Sequence, residues 1–293
     1  MTQDEAIRAV KTSIAIVLMA ALVTLAPITA AAQQRPLVTE DPETIGAGRM
    51  LFEAGFDYGR GVEYPVSGLT GQLLRAPLIG VSIGISSIAE LQFDGGLYNR
   101  LAITERDPSA PLAGLVTATG DTTSSVEDLV VATKIRILGE TPGRPAFGLR
   151  LATKLPNASN ESGIGLDTTD FTASLLVGKT VRSVRTVVNG GFGVLGDPVV
   201  GNRQADVITY GVSLARALTQ AAEVVGEFNG RFDTREDEPD RPSSSRGAVR
   251  LGARYTVSGW RGDAALIFGL TSRDPGIGFA AGFTYVFQAF QIP

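Results

Sequence analysis

Period-two alternation of apolar and polar residues runs through the chain from residue 50 onward. In 246–258 the even positions read Arg246, Ala248, Arg250, Gly252, Arg254, Thr256 and Ser258, and the odd positions Gly247, Val249, Leu251, Ala253, Tyr255 and Val257. Side chains alternate faces along a strand, so this stretch predicts one cationic face and one smooth apolar face. The same rhythm recurs at 50–58, 78–85, 89–97, 127–138, 146–155, 170–179, 185–195, 205–214, 221–233, 260–270 and 277–287. In the first of these, Met50, Phe52, Ala54, Phe56 and Tyr58 oppose Glu53, Gly55 and Asp57; in the last, Ile277, Phe279, Ala281, Phe283, Tyr285 and Phe287 oppose Gly278, Gly282 and Thr284.

Three features make these segments a closed barrel rather than a soluble sandwich. Connections after odd-numbered segments tend to be longer and polar (59–77, 99–125, 156–168, 196–204, 234–245), although 272–276 is short; those after even-numbered ones are mostly tight turns. Short periplasmic turns and longer outer loops are the pattern of outer-membrane barrels, and about twelve strands is an even count within their range. The polar faces combine charge with glycine, whereas the inner face of a sandwich would be filled with large aliphatics. Tyr58, Tyr255, Trp260, Tyr285 and Phe287 fall near strand ends, where amphipathic rings suit the headgroup level. The predicted fold is therefore all-β, a transmembrane antiparallel β-barrel of about twelve strands, closed because an open sheet edge in lipid leaves backbone groups unpaired. The alternative is an exported all-β protein whose amphipathic strands bury their apolar faces.

Upstream, Arg8 and Lys11 precede an apolar run from Ile14 to Leu25, then Pro27 and the small residues Ala30, Ala31 and Ala32. The run is short for a membrane span of about 20 residues and Pro27 interrupts it, so 1–32 reads as a signal peptide cleaved before Gln33 rather than an uncleaved helix. The remaining division is a periplasmic lead-in at 33–48, the outer-membrane barrel at 49–287 and a tail at 288–293.

Composition removes whole classes of function. The 26 basic residues against 30 acidic ones give no basic excess for nucleic acid. With no Cys and no His, Ser-His-Asp and Cys-His nucleophiles and histidine-based metal sites cannot be assembled. Gly191-Phe192-Gly193 and Gly276-Ile277-Gly278 lack the following helix a nucleotide loop needs. No enzyme activity and no cofactor is expected; paired carboxylates alone remain conceivable for glycoside chemistry. The 35 glycines exceed the usual share of about 7%.

If the polar faces point inward, they supply the candidate site. Glu53, Asp57, Glu90 and Asp94 come from the first and third strands; Lys134, Arg136, Arg150 and Lys154 from the fourth and fifth; Glu223, Glu227, Arg231, Arg250, Arg254, Arg261 and Asp263 from the ninth to eleventh. An acidic wall opposite basic ones would orient dipolar solutes and set ion preference. The competing outcome is cross-strand pairing in a barrel filled by its own side chains, which would make a plug. The acidic run Glu236-Asp237-Glu238-Pro239-Asp240 is either a solvated loop tip or a place to hold a cation or bridge lipopolysaccharide.

The opening Leu37-Val38-Thr39-Glu40-Asp41-Pro42-Glu43-Thr44, with Gly46, Gly48 and then a strand bearing Glu53, resembles an outer-membrane family of phenol-degradation (meta-pathway) transporters. The resemblance implies a barrel of about this strand count and uptake of hydrophobic or aromatic compounds. The chain departs from the usual barrel ending, because Gln288 to Pro293 follow the aromatic Phe287. The partners expected are outer-membrane lipid and lipopolysaccharide, a small-molecule solute and the outer-membrane assembly machinery, with no nucleic acid.

Overall fold

The structure is a computed structural model that describes residues 35–201, 203–234 and 244–291. The expected signal peptide and the acidic run 236–240 lie outside these residues.

Fourteen strand segments form one antiparallel sheet: β1 (Arg49–Tyr64), β2 (Leu69–Gly84), β3 (Ala89–Gly96), β4 (Asn99–Arg106), β5 (Thr122–Ser125), β6 (Val130–Leu138), β7 (Ala146–Lys154), β8 (Asp170–Val181), β9 (Val184–Gly196), β10 (Gln204–Ala217), β11 (Ala222–Asp233), β12 (Arg246–Val257), β13 (Trp260–Gly269) and β14 (Ile277–Gln288). β2 pairs with β3 along Leu78–Gly84 and with β4 along Leu69–Arg75, so β3 and β4 are halves of one strand. β5 and β6 continue each other in the same way, pairing with β4 and β3. The segments thus fill twelve positions, and β1 closes the sheet by pairing with both β2 and β14. Closure through β1 gives the wall the backbone pairing that lipid imposes, while the short β5 pairs with β4 on one side only.

Burial is inverted relative to a water-soluble protein. Leu251 is 55% exposed, Phe192 55% and Trp260 50%, whereas Glu90, Lys134 and Thr284 are fully buried. An apolar outer wall around a polar interior fits lipid outside and protein or water inside, and a closed barrel of this kind belongs to the outer membrane. At the end where the chain enters β1, Trp260 stacks on Tyr285 at 4.4 Å and Tyr285 on Phe287 at 5.6 Å, a local aromatic row at the predicted interface. The tight turn Ser258–Gly259 at this end has positive φ at both residues (49° and 84°), which matches the twist of a two-residue hairpin.

Two of the expected loops contain strand instead. Residues 59–77 belong mostly to β1 and β2, which meet in a turn at 65–68; residues 99–125 include β4 and β5. The alternation there is obscured by irregularities in register between Gly55 and Asp57, between Gly59 and Val62, and at Thr70–Gly71. A bulge flips the facing of every later residue on its strand, so strict period two breaks while pairing continues.

Residues 35–48 form no strand. The sequence reading places them on the periplasmic side ahead of the barrel; in the structure residues 35–45 cross the inner faces of the strands. This strap positions the rest of the site.

Candidate functional site

The strap is held almost entirely through its backbone and its acids. Arg254 Nε donates to the Arg35 carbonyl at 2.8 Å, and Arg35 Nη2 donates to the Ala281 carbonyl at 2.9 Å. Glu227 accepts three hydrogen bonds, from Val38 N (2.7 Å), Thr39 N (2.9 Å) and Thr39 Oγ1 (2.8 Å). Asn189 reads Glu40 at both backbone groups, accepting from its N–H at 2.6 Å and donating to its carbonyl at 2.8 Å. Arg185 grips Asp41 through Nε (2.8 Å) and Nη2 (2.7 Å), a two-point fork. Arg136 meets Glu43 at 2.5 Å, and Ile45 N donates to Glu90 at 2.7 Å. The strap thereby binds side chains on β3, β6, β9, β11 and β12 before turning into β1.

Glycines make the bed on which the strap lies. A side chain at Gly211 would meet Thr39 Oγ1 at 2.8 Å, and one at Gly148 would meet Pro42 at 3.1 Å. At Gly84 the obstacle is the Gly46 carbonyl at 1.8 Å, so no β-carbon fits unless the strap shifts. The joint occurrence of charge and glycine on the inner faces thus has a packing cause.

The predicted lumen residues divide into clusters. Lys134 is paired with Glu90 at 2.9 Å and Glu40 at 3.4 Å, and Gln92 joins them by donating to Glu90 at 3.0 Å and to Glu40. Arg150 donates to Gln92 Oε1 at 2.8 Å and lies 3.7 Å from Asp94. Glu53 accepts from Thr284 Oγ1 at 2.9 Å. Asp263 lies 3.7 Å from Arg35, while Glu223 lies 3.8 Å from Arg254 and 3.9 Å from Arg261. Asp57 pairs with Arg75 at 2.8 Å, and Lys154 bridges Asp128 (3.1 Å) and Asp170 (2.9 Å). Arg136 is occupied by Glu43 as above. Arg231 donates to the Ser244 carbonyl at 3.3 Å and faces Arg246 directly across the β11–β12 ladder. Arg250 donates to the Pro36 carbonyl at 3.3 Å. The acids of β3 therefore neutralise the bases of β6 and β7 beside them, because Glu90 is the direct cross-strand partner of Lys134.

Open space remains on the side of the strap towards the long connectors. A cavity of about 540 Å³ touches Arg35–Val38, Asp57, Arg75, Asp94, Arg150 and Arg250. Two more, of about 370 and 310 Å³, share Asn229, Gly230 and Arg246. One of about 340 Å³ at the mouth adds Val66, Leu112, Ile164 and Leu166 from the connecting loops. They share Arg75, Arg231, Arg246 and Arg250 along their borders, so they follow one another from the mouth to the strap.

Among the residues that line this path, Arg75 and Arg246 escape the sequence-derived set. Arg75 sits in what reads as a loop; Arg246 stands at the first position of its segment and is visible there as an inward residue. Arg35, Gln92, Asn189 and Thr284 also escape, because polar uncharged residues and a strap without periodicity carry no lumen signal. Outside the membrane, Glu140 in the turn between β6 and β7 anchors the strap end of the barrel. Burial pushes its carboxyl up, but the Thr180 N–H, Arg185 and Lys179 outweigh that and hold it below the usual carboxylate range.

No family model matches the sequence, and no curated protein matches it. Among solved structures, the chain is similar to an outer membrane channel from Pseudomonas putida F1, with TM-score 0.60 and 12% identity over 84% of this chain and 98% of that one. The translocator domain of the autotransporter NalP from Neisseria meningitidis follows at 0.48 and 15% identity, covering 83% of this chain and 89% of that one. A monoaromatic hydrocarbon channel, TodX, aligns at 0.42 and 12% identity, covering 86% and 93%. At these identities the likeness is one of fold.

Proposed function

We propose that the protein is a passive outer-membrane channel for small solutes, with the strap as its restriction. The observation that carries this reading is the succession of cavities, bordered by charged residues, from the loop-lined mouth down to residues 35–40. The restriction itself is fastened by hydrogen bonds and ion pairs rather than by strand pairing, so it can be displaced without breaking the barrel wall. The inward charges set ion preference. The resemblance of the strap sequence to the phenol-degradation transporters supports small hydrophobic or aromatic compounds as the solutes, and the fold shared with an outer membrane channel supports the channel role. Outer-membrane lipid surrounds the apolar belt; lipopolysaccharide at the outer rim and the assembly machinery are the further partners this reading requires. Catalysis is no part of it, since most of the inward carboxylates are tied to arginine, lysine or amide groups.

A second reading is a closed-lumen barrel with a structural or surface role. The fully buried Lys134–Glu90 pair, sealed further by Glu40, favours it. Planar-bilayer recording separates the two. Discrete conductance steps from purified wild-type protein support the channel. Silence from wild type, together with silence after Glu227→Ala has loosened the strap, establishes the closed barrel.

A further inference from the structure

The arginines of β12 are not used alike. Arg254 is tied to the strap and to Glu223. Arg246 and Arg250, at alternate inward positions flanking Ala248, hydrogen-bond among the described residues only to backbone carbonyls, Glu63 and Pro36, each at 3.3 Å. Among the described residues the buried Nε of each has no partner, and neither does the side-chain oxygen of Asn229, which stands opposite Ala248 between them. The carboxylates that share their cavities are already engaged. In the cavity that touches both arginines, Asp57 pairs with Arg75 and Asp274 accepts from Gly247 N (2.8 Å) and Thr271 (2.7 Å); Glu227, outside that cavity but opposite Arg250 in the ladder, accepts three hydrogen bonds from the strap. A buried guanidinium left without an anion is costly, and here, among the described residues, two line one cavity, with Arg231 opposite Arg246 across the ladder.

The wall facing them is of the opposite kind. The cavity of about 310 Å³ that touches both arginines is also bounded by Val62, Leu73, Ile267 and the Tyr64 ring. It continues through Tyr64, Leu73 and Arg246 into the mouth cavity, whose lining adds Leu112, Ile164 and Leu166. A neutral hydrocarbon would leave the two guanidiniums unanswered; a bare inorganic anion would leave the apolar wall wet. We infer that Arg246 and Arg250 form a binding site for small amphiphilic carboxylates, the carboxylate on the guanidiniums and the ring or chain against Leu73, Ile267 and Tyr64. This names the solute class for the proposed channel and rests on that reading only for its transport meaning; the site itself is a matter of binding.

The test is calorimetric titration of purified protein in an uncharged detergent with three probes: benzoate, benzyl alcohol and acetate. Benzoate is expected to bind at least about tenfold more tightly than either of the others, since it alone satisfies both walls. The variant R246Q/R250Q, checked for folding by heat-modifiable gel migration, is expected to lose at least about tenfold in benzoate affinity while R246K/R250K retains part of it. Benzyl alcohol binding as tightly as benzoate, or undiminished benzoate binding in R246Q/R250Q, would overturn the site. Acetate equal to benzoate would overturn the amphiphilic class. If the glutamine variant does not fold, the wild-type ranking decides. Benzoate binding by a protein that is silent in bilayers would sink the channel and leave the site standing, whereas conductance without benzoate binding would do the reverse.

Discussion

The two halves of the barrel interior use the same residue types and end differently. On the periplasmic side the inward charges find one another or the strap, and Lys134, Glu90 and Thr284 are sealed from solvent. Towards the outer mouth the inward face is just as charged, yet cavities persist, and among the described residues Arg246 and Arg250 hydrogen-bond only to backbone carbonyls. What differs is a third party. The strap brings Glu40, Asp41 and Glu43 to the first half and offers Arg250 of the second only the backbone carbonyl of Pro36. An arginine-bearing strand is thus neither a pore nor a plug in itself; its neighbour across the lumen decides.

The largest effect expected on this contrast comes from Lys134→Met. It leaves Glu90 and Glu40 buried beside each other without their cation, and breaking a buried pair from one side costs about 3–5 kcal/mol. A urea-unfolding midpoint in lipid vesicles should fall accordingly, whereas Arg250→Met in the open half should change it little. Equal losses from the two would erase the distinction between the halves. Both halves share one lipid-facing wall, and Leu251→Arg places a charge on it midway along β12; the expected cost is about 2–4 kcal/mol, seen as reduced folding yield into vesicles. Glu227→Ala removes three hydrogen bonds to the strap, each worth about 1.5–3 kcal/mol as bonds to a charged group, while sparing the wall. Its signature is a several-fold rise in single-channel conductance rather than a loss of the folded band on a gel. The smallest effect belongs to Glu140→Gln at the periplasmic rim, at most about 1 kcal/mol. Because the folded carboxyl sits below its ordinary range, its contribution is present above the unfolded pKa and fades as pH falls through the folded one. The stability gap between wild type and Glu140→Gln should therefore be full at neutral pH and close in acid.

The sequence discloses the wall far better than it discloses what fills the wall. Alternation identified β12 and β14 nearly to the residue, since neither pairing of β12 shows a register shift and period two survives end to end. It lost the upper parts of β1 and β2 at their bulges and the continuation of β3 into β4 at Leu97–Tyr98. The inward candidates came from the same alternation, which says which way a residue points and nothing about whom it meets. Glu227 illustrates the limit. Its register partner is Arg250, the pairing that adjacency suggests, but its carboxylate is taken by Val38 and Thr39, nearly two hundred residues away in sequence. A polar, aperiodic segment such as 35–48 leaves no trace of its destination; the acids Glu40, Asp41 and Glu43 acquire meaning only once Lys134, Arg185 and Arg136 are seen converging on them.

The strap also carries a consequence for the order of events in biogenesis. Its clasps join Arg35 to Ala281, Val38 to Glu227 and Glu40 to Asn189, separations of 246, 189 and 149 residues. The earliest part of the described chain therefore waits for the latest part before it can settle, and such distant contacts form slowly. A cylinder must first be sewn shut, seam and all, before its own leading thread can be tucked inside.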